Sequence, residues 1–253
     1  MSQTNYASVN LVLLTEKELA DGLGLDDARA VHLLATVGLK VGATFHIGIK
    51  NARRGIATIT ATHPKLTFTV TFEDGVQKRI PLTVIVGLPR PQTAKKVLHD
   101  LASVGVDKII FFDTEKGDAG YATSSLWKDA EWGEHVTKGA EQACSALIPE
   151  VVRYDSLEGA LTHIKANGWR IALDPYEASQ ALGGAAPTAT YAVLAIGPER
   201  GWSAAERTLL LKNNFVLCHL GDRILRVESA ALAGSMIMLS QLKAWEKHRP
   251  LAP

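Results

Sequence analysis

Two textures of hydrophobic patterning meet near residue 80. Before it, short stretches alternate apolar and polar positions: 43–49, 55–61, 66–72 and, after an Asp74-Gly75 turn, 78–81. A period of two marks half-buried strands, and Asp-Gly between such stretches marks a hairpin. Several short strands at this spacing predict a small β-barrel. Residues 26–36 repeat instead with helical period and predict one amphipathic helix, with Ala30, Val31, Leu33 and Leu34 on its buried side.

After residue 80 the runs become apolar on every side. Residues 82–88 are a continuous apolar strand; Pro89 and Pro91 follow, then a helix from about 93 to 104 that Gly105 ends. A strand at 109–112, a long helix over 124–146, a helix at 157–166 and strands at 169–173, 191–196 and 215–219 complete the pattern. Strands without alternation fit a parallel sheet covered on both faces, so the fold class is α/β. The last helix, 228–245, is apolar almost all round and must be buried on several sides, in the core and at a subunit interface. The domain boundary falls at residue 80: a barrel over 1–80 and an α/β domain over 81–253.

Composition changes this picture little. At 47% hydrophobic and 21% charged, the chain reads as an ordinary soluble globular protein. Nine Lys/Arg face seven Asp/Glu before residue 80 and 18 face 19 after it, so no strongly basic footprint points to nucleic acid. Cys144 and Cys218 lie far apart with no CxxC partner, so neither a zinc site nor a disulfide framework is indicated. The apolar run 9–14 is too short for a signal sequence and no segment is long enough to span a bilayer. The expectation is a cytoplasmic protein with no metal and no membrane association.

Two segments carry chemistry. In Ala195-Ile-Gly-Pro-Glu-Arg-Gly-Trp-Ser203 a buried strand runs into a loop with Gly197 and Gly201 and then a helix. Ser203 and Glu206 form a capping box. Glycines at the carboxyl end of a parallel strand let backbone N–H groups approach a ligand. It is neither a Walker loop nor GxGxxG, and alone it reads as a tight βα turn that binds nothing. In Leu220-Gly-Asp-Arg-Ile-Leu-Arg-Val-Glu-Ser-Ala-Ala231 a second strand feeds a loop in which Arg223 and Arg226 flank Ile224 and Leu225. Two large aliphatics at a loop tip suit a flat apolar ligand such as a purine; alone, the loop reads as packing on its own core.

Together, in this order and spacing, the segments closely resemble the ribosomal RNA small subunit methyltransferase E family of the SPOUT class, whose versions run approximately IGPEGG and LG-x-RILR-x-ETA. Gly139-Ala-Glu-Gln-Ala143 with Pro149-Glu-Val151 resembles the family's A-x-EQ…VPE segment, and His32-Leu-Leu34 with Leu39-Lys-x-Gly42 its N-terminal barrel. The resemblance implies a PUA-like barrel, a C-terminal domain knotted as a trefoil, and a homodimer through that domain. It implies S-adenosylmethionine as cofactor, held by loops beginning near Leu173, Gly197 and Leu220. The residues it brings to the cofactor are Leu173, Ile196, Gly197, Pro198, Glu199, Gly201, Leu220, Gly221, Ile224, Leu225, Glu228, Ser229 and Ala230.

The implied reaction is methylation of uridine N3 in small-subunit (16S) ribosomal RNA, with ribosomal RNA or the small ribosomal subunit as partner. Removing the N3 proton spreads negative charge onto the uracil oxygens, which a guanidinium stabilises. Arg226 is the candidate for that catalytic role and Arg223 the alternative; Arg223, Arg53 and Arg54 are candidate substrate contacts. Glu228 orients an arginine, binds ligand polar groups, or is simply a first-turn acid favoured by the helix dipole. Departures from the family pattern are Arg200 for the second glycine of PEGG, Ser229 for the threonine of ETA, Cys144-Ser145 for Gly-Arg, and Gly38 for an arginine. Most remove charge from surfaces expected to touch RNA. They leave open a methyltransferase acting on a different RNA, or an RNA-binding protein of the same fold that has lost catalysis.

Overall fold

The structure, a computed structural model, describes residues 10–74 and 77–244. They divide into two compact units, one reaching to Lys78 and including Ala140–Ile148, the other made of Arg79–Gly139 and the chain from Pro149 onward.

In the first unit, strands β1 (Val12–Leu14), β2 (Leu23–Gly24), β3 (Thr44–Ile49), β4 (Arg54–Ala61) and β5 (Lys65–Phe72) form one sheet in the order β1-β3-β4-β5-β2. The expected alternation is plain in β4, where Gly55, Ala57 and Ile59 point inward. Ala57 and Ile59 join Leu33, Phe45, Ile47, Leu66 and Phe68 in one core, and the Phe45 and Phe68 rings meet edge to face at 5.7 Å. Helix α1 (Glu16–Asp21) opens on a capping box between Thr15 and Glu18.

Residues 26–36 are not one α-helix. Helix α2 (Ala28–Val31) begins at Asp27, whose carboxylate accepts from Arg29 N, and continues as a π-helical turn, His32–Thr36. The wider turn rotates the apolar face: Ala30 and Leu33 are buried and Leu34 packs against the core, while Val31 is 45% exposed. Gly75 of the expected hairpin turn lies outside the described residues, as does Val9 of the first apolar run. The stretch 78–81 does not extend the small sheet, because Ile80 opens a strand of the larger one and pairs there with Val106.

Residues 140–148 add to the small unit through the backbone. Leu11 N donates to Glu141 O at 3.1 Å, Asn51 N to Ala146 O at 2.8 Å, and Ile148 N to Asn51 Oδ1 at 2.9 Å. Gly48 lets this segment in close, since an added methyl there would stand 3.0 Å from Ala146 Cβ.

The second unit holds a seven-stranded, wholly parallel sheet: β6 (Ile80–Gly87), β7 (Val106–Phe112), β8 (Glu150–Tyr154), β9 (Trp169–Leu173), β10 (Gln180–Ala181), β11 (Ala192–Ile196) and β12 (Val216–His219), ordered β10-β12-β9-β11-β6-β7-β8. Every residue of central β11 is buried, as its unbroken apolar sequence requires. Helix α3 (Pro91–Val104) starts two residues before the expected point, because proline is tolerated in the first helical turn; Gly105, at φ 89°, ends it.

The expected helix over 124–146 is instead two, α4 (Ser125–Lys128) and α5 (Trp132–Gln142), broken where Ala130 takes φ 55°, with a 3₁₀ turn (Ala119–Thr123) ahead of them. Helix α6 (Leu157–Leu161) is half its expected length, and α7 (Ala204–Lys212) follows the glycine loop. Helix α8 (Val227–Gln241) packs on α3, β6 and β11 through Ala231, Gly234, Ser235 and Met238. Leu232 (37%) and Met236 (42%) on its other side are exposed, and Trp245 lies outside the described residues. No helix among the described residues is long and apolar enough to cross a membrane.

Candidate functional site

The chain leaves β9, β11 and β12 at neighbouring carboxyl ends, the edge where parallel α/β sheets hold ligands. The three loops that follow enclose a cleft of about 550 Å³, within the range of small-molecule sites. Its floor is apolar and buried: Leu173, Ile196, Cys218 and Val227. Burial pushes the Cys218 thiol pKa up, so it is a neutral apolar lining group.

The loop after β11 is shaped by glycines and one tryptophan. Gly201 takes φ 65° and donates its N–H to Pro198 O at 2.8 Å, closing a tight turn that L side chains resist. Trp202 is 1% exposed, stacks on Phe112 with ring planes 4° apart, and donates its indole N–H to Leu173 O at 2.8 Å. Gly87, at the end of β6, gives the loop room: a methyl there would stand 2.8 Å from Pro198 Cδ and 2.9 Å from Pro198 N. The capping box foreseen at Ser203 and Glu206 is present, and Glu206 also accepts from Glu115 N at 3.2 Å.

The loop after β9 turns on Asp174, which is fully buried. Its carboxylate accepts from the Arg207 guanidinium, from Tyr176 N at 2.9 Å and from Glu177 N at 3.3 Å. Burial would raise its pKa, but the Arg207 hydrogen bond and these N–H donors outweigh that and hold it below the usual carboxylate range. The ion pair raises the Arg207 pKa in turn, chiefly through the Asp174 hydrogen bond.

The loop after β12 carries Gly221 at φ 109°, with nothing within 4 Å of a methyl built there. Ile224 is 70% exposed and Leu225 41%. Arg226 is the N-cap of α8, its side chain making no capping hydrogen bond. Glu228, in the first turn of α8, is paired with Lys96 of α3 at 3.2 Å. Burial opposes its charge, yet its own backbone N–H, Lys96 and Arg226 hold its pKa low, so it is ionised at neutral pH.

Of the residues expected around the cofactor, all but Ser229 line this cleft, together with Arg223 and Arg226. Glu199 also lines it, and its carboxylate accepts from Arg90 N at 3.1 Å, fastening the loop after β6. In the first unit, Arg54 pairs with Glu73 and donates to Cys144 O, while the Arg53 guanidinium sits 3.8 Å over the Phe72 ring and 3.6 Å from Glu16. Both arginines are already engaged within that unit.

Several lining residues were not foreseen: Asp174, Pro175 and Tyr176 after β9, Trp202 and His219, and Arg90, Gln92, Thr93 and Lys96 before and within α3. Asp174-Pro175 directly after a buried strand was the available signal for the first three. Among the described residues no group of three His, Cys, Asp or Glu stands close enough together to hold a metal ion.

A sequence profile described as an RNA methyltransferase domain matches residues 76–239. The Ribosomal RNA small subunit methyltransferase E 1 of Borreliella burgdorferi is 32% identical over 235 residues, covering 92% of this chain and 99% of that protein. The Ribosomal RNA small subunit methyltransferase E of Treponema pallidum is 31% identical over 254 residues, covering 96% and 95%. Among solved structures, a Ribosomal RNA small subunit methyltransferase E from Neisseria gonorrhoeae, bound to S-adenosyl methionine, superposes with a TM-score of 0.74 at 20% identity, over 92% of this chain and 97% of that one.

Proposed function

This chain belongs to the ribosomal RNA small subunit methyltransferase E family of RNA methyltransferases, and on that footing we propose that it methylates N3 of a uridine in 16S ribosomal RNA with S-adenosylmethionine. The observation that carries the reading is the convergence of the loops after β9, β11 and β12 on one cleft lined by both sequence segments that bear the resemblance.

The cleft fits such a cofactor. Its floor is apolar, Ile224 and Leu225 offer aliphatic surface to a purine, and the open backbone at Gly221 leaves space for a ligand against the chain. The ionised Glu228 suits a cationic group. When bound, the cofactor supplies an activated methyl group on a sulfonium centre. The protein's part is to hold the acceptor base in line and to favour loss of its N3 proton. We assign to Arg226, an exposed residue lining the cleft, the stabilisation of the negative charge that then spreads over the uracil oxygens; Arg223 is the alternative. Arg53 and Arg54 are proposed RNA-backbone contacts, Arg53 being the more exposed of the two, at 49% against 14% of its side chain.

The PUA-like character of the barrel, the trefoil knot, the cytoplasmic location and the homodimer belong to the same proposal. Leu232 and Met236 on the exposed side of α8 are the apolar surface that a second copy would cover.

Arg200, Gly38 and Cys144-Ser145, where the family pattern has glycine, arginine and Gly-Arg, favour one second reading: the same chemistry on a different RNA. Nucleoside mass spectrometry of ribosomal RNA from a strain lacking the gene separates the two. Loss of 3-methyluridine from 16S RNA supports the first; an unchanged level, with another RNA losing a methylated nucleoside, supports the second. Calorimetry with S-adenosylmethionine tests both against a lapsed enzyme, which would show no heat at millimolar ligand.

A further inference from the structure

The cleft has a deep part and a mouth that differ in kind. The deep part is built of buried groups, Leu173, Ile196 and Cys218 at 7%, 3% and 0% exposure. The mouth carries the two most exposed large hydrophobic side chains among the described residues, Ile224 at 70% and Tyr176 at 66%. An exposed aromatic ring loses apolar contact unless something covers it.

Tyr176 is also held in place. Its N–H is fixed on the buried Asp174 carboxylate, which the Arg207 guanidinium clamps from α7. Its ring rests beside the Gly201 turn, with Cε2 3.6 Å from where a methyl on Gly201 would stand. Because Gly201 has no side chain, the ring lies against bare backbone and keeps much of its surface free. A rigid stem therefore presents a flat, wet aromatic surface at the entrance of the cleft.

We propose that Tyr176 is the stacking surface for the RNA base that enters this site. The inference rests on the methyltransferase reading and assigns the base a position within it. A base to be modified must leave its stack, and an aromatic side chain replaces the stacking it loses. The ordering follows from position: a small cofactor takes the buried floor and the aliphatic Ile224–Leu225 side of the cleft, and a macromolecule's base, arriving afterwards from solvent, meets the exposed ring of Tyr176. Tyrosine suits this role because every base offers a π face to its ring, so the contact adds affinity without reading sequence.

The test compares wild type with Tyr176→Ala and Tyr176→Phe in three measurements. These are S-adenosylmethionine affinity by calorimetry, thermal midpoint, and steady-state methylation of unmethylated 16S ribosomal RNA with RNA as the varied substrate. Tyr176→Ala should keep cofactor affinity within about twofold while kcat/KM for RNA falls roughly 5- to 100-fold, the range of one lost base–aromatic stack. Tyr176→Phe, which keeps the ring, should restore most of that loss. Cofactor affinity falling by the same factor as kcat/KM would overturn the proposal and place the ring on the cofactor. An unchanged kcat/KM in Tyr176→Ala would overturn it too, while wild-type turnover leaves the methyltransferase reading intact. A wild-type protein that binds no cofactor would overturn both.

Discussion

The indole N–H of Trp202 donates to the carbonyl oxygen of Leu173 at 2.8 Å, fastening the loop after β11 to the end of β9. Both residues line the cleft, so one buried hydrogen bond sets the spacing of two of its three walls. Trp202→Phe keeps an aromatic ring, though a smaller one, and leaves the carbonyl without its donor. The expected cost is about 1–3 kcal/mol of stability, measured by urea unfolding. Cofactor affinity should weaken by roughly tenfold in the same variant. Full stability with wild-type binding would mean the cleft does not depend on this bond.

Arg207 and Asp174 form the second internal brace. With Asp174 fully buried, Arg207→Ala strands a carboxylate and should cost about 3 kcal/mol or more. The pH dependence has a definite sign. The folded pKa of Asp174 is depressed, so its contribution is present above the ordinary aspartate value and is lost as pH falls through the folded one. Wild type should therefore lose stability below about pH 4. Asp174→Asn should have a flatter profile in that acid range, read from unfolding midpoints at several pH values. Parallel profiles would contradict the assignment.

Much of this cleft was legible in the sequence, and the reason is local. In Ala192–Glu206 an apolar strand, two glycines and a capping box stand within fifteen residues, and the structure repeats that order at β11, Gly197, Gly201 and α7. Glycine conformation and capping depend on neighbours in the chain, so they can be read without the fold. Lys96 was missed for the opposite reason: it reaches the cleft only because α3 packs beside α8, which no local pattern encodes. Likewise, nothing in residues 140–148 announces that their backbone joins the small sheet unit. The break at Ala130 has no glycine or proline to mark it, and Val31 lost its buried place to a single wide turn whose sequence is ordinary for a helix.

Gly87 shows a steric requirement that can be tested alone. A Cβ there would approach Thr114 Cγ2 to 2.6 Å and the Pro198 backbone nitrogen to 2.9 Å. Gly87→Ala should cost about 1–3 kcal/mol through overpacking and displace the Pro198 turn. Weaker cofactor binding in a variant that still unfolds cooperatively would show that displacement. A variant matching wild type in both would mean the turn shifts without consequence.

Arg226 should separate binding from turnover. It caps α8 without a side-chain hydrogen bond, so Arg226→Ala should keep its fold and hold cofactor affinity within about threefold. Its kcat should fall by about 100-fold or more, as when a donor that stabilises developing negative charge is removed. Loss of binding and turnover by the same factor would make Arg226 a cofactor contact instead.

The most direct measurement of the central claim is made on the product. Purified protein is incubated with S-adenosylmethionine and unmethylated 16S ribosomal RNA, and the RNA is digested to nucleosides and analysed by chromatography and mass spectrometry. The expected product is 3-methyluridine, formed only when both protein and cofactor are present. No methylated nucleoside at all, or a methyl group on another base, on another uridine atom or on the ribose, would contradict the central claim.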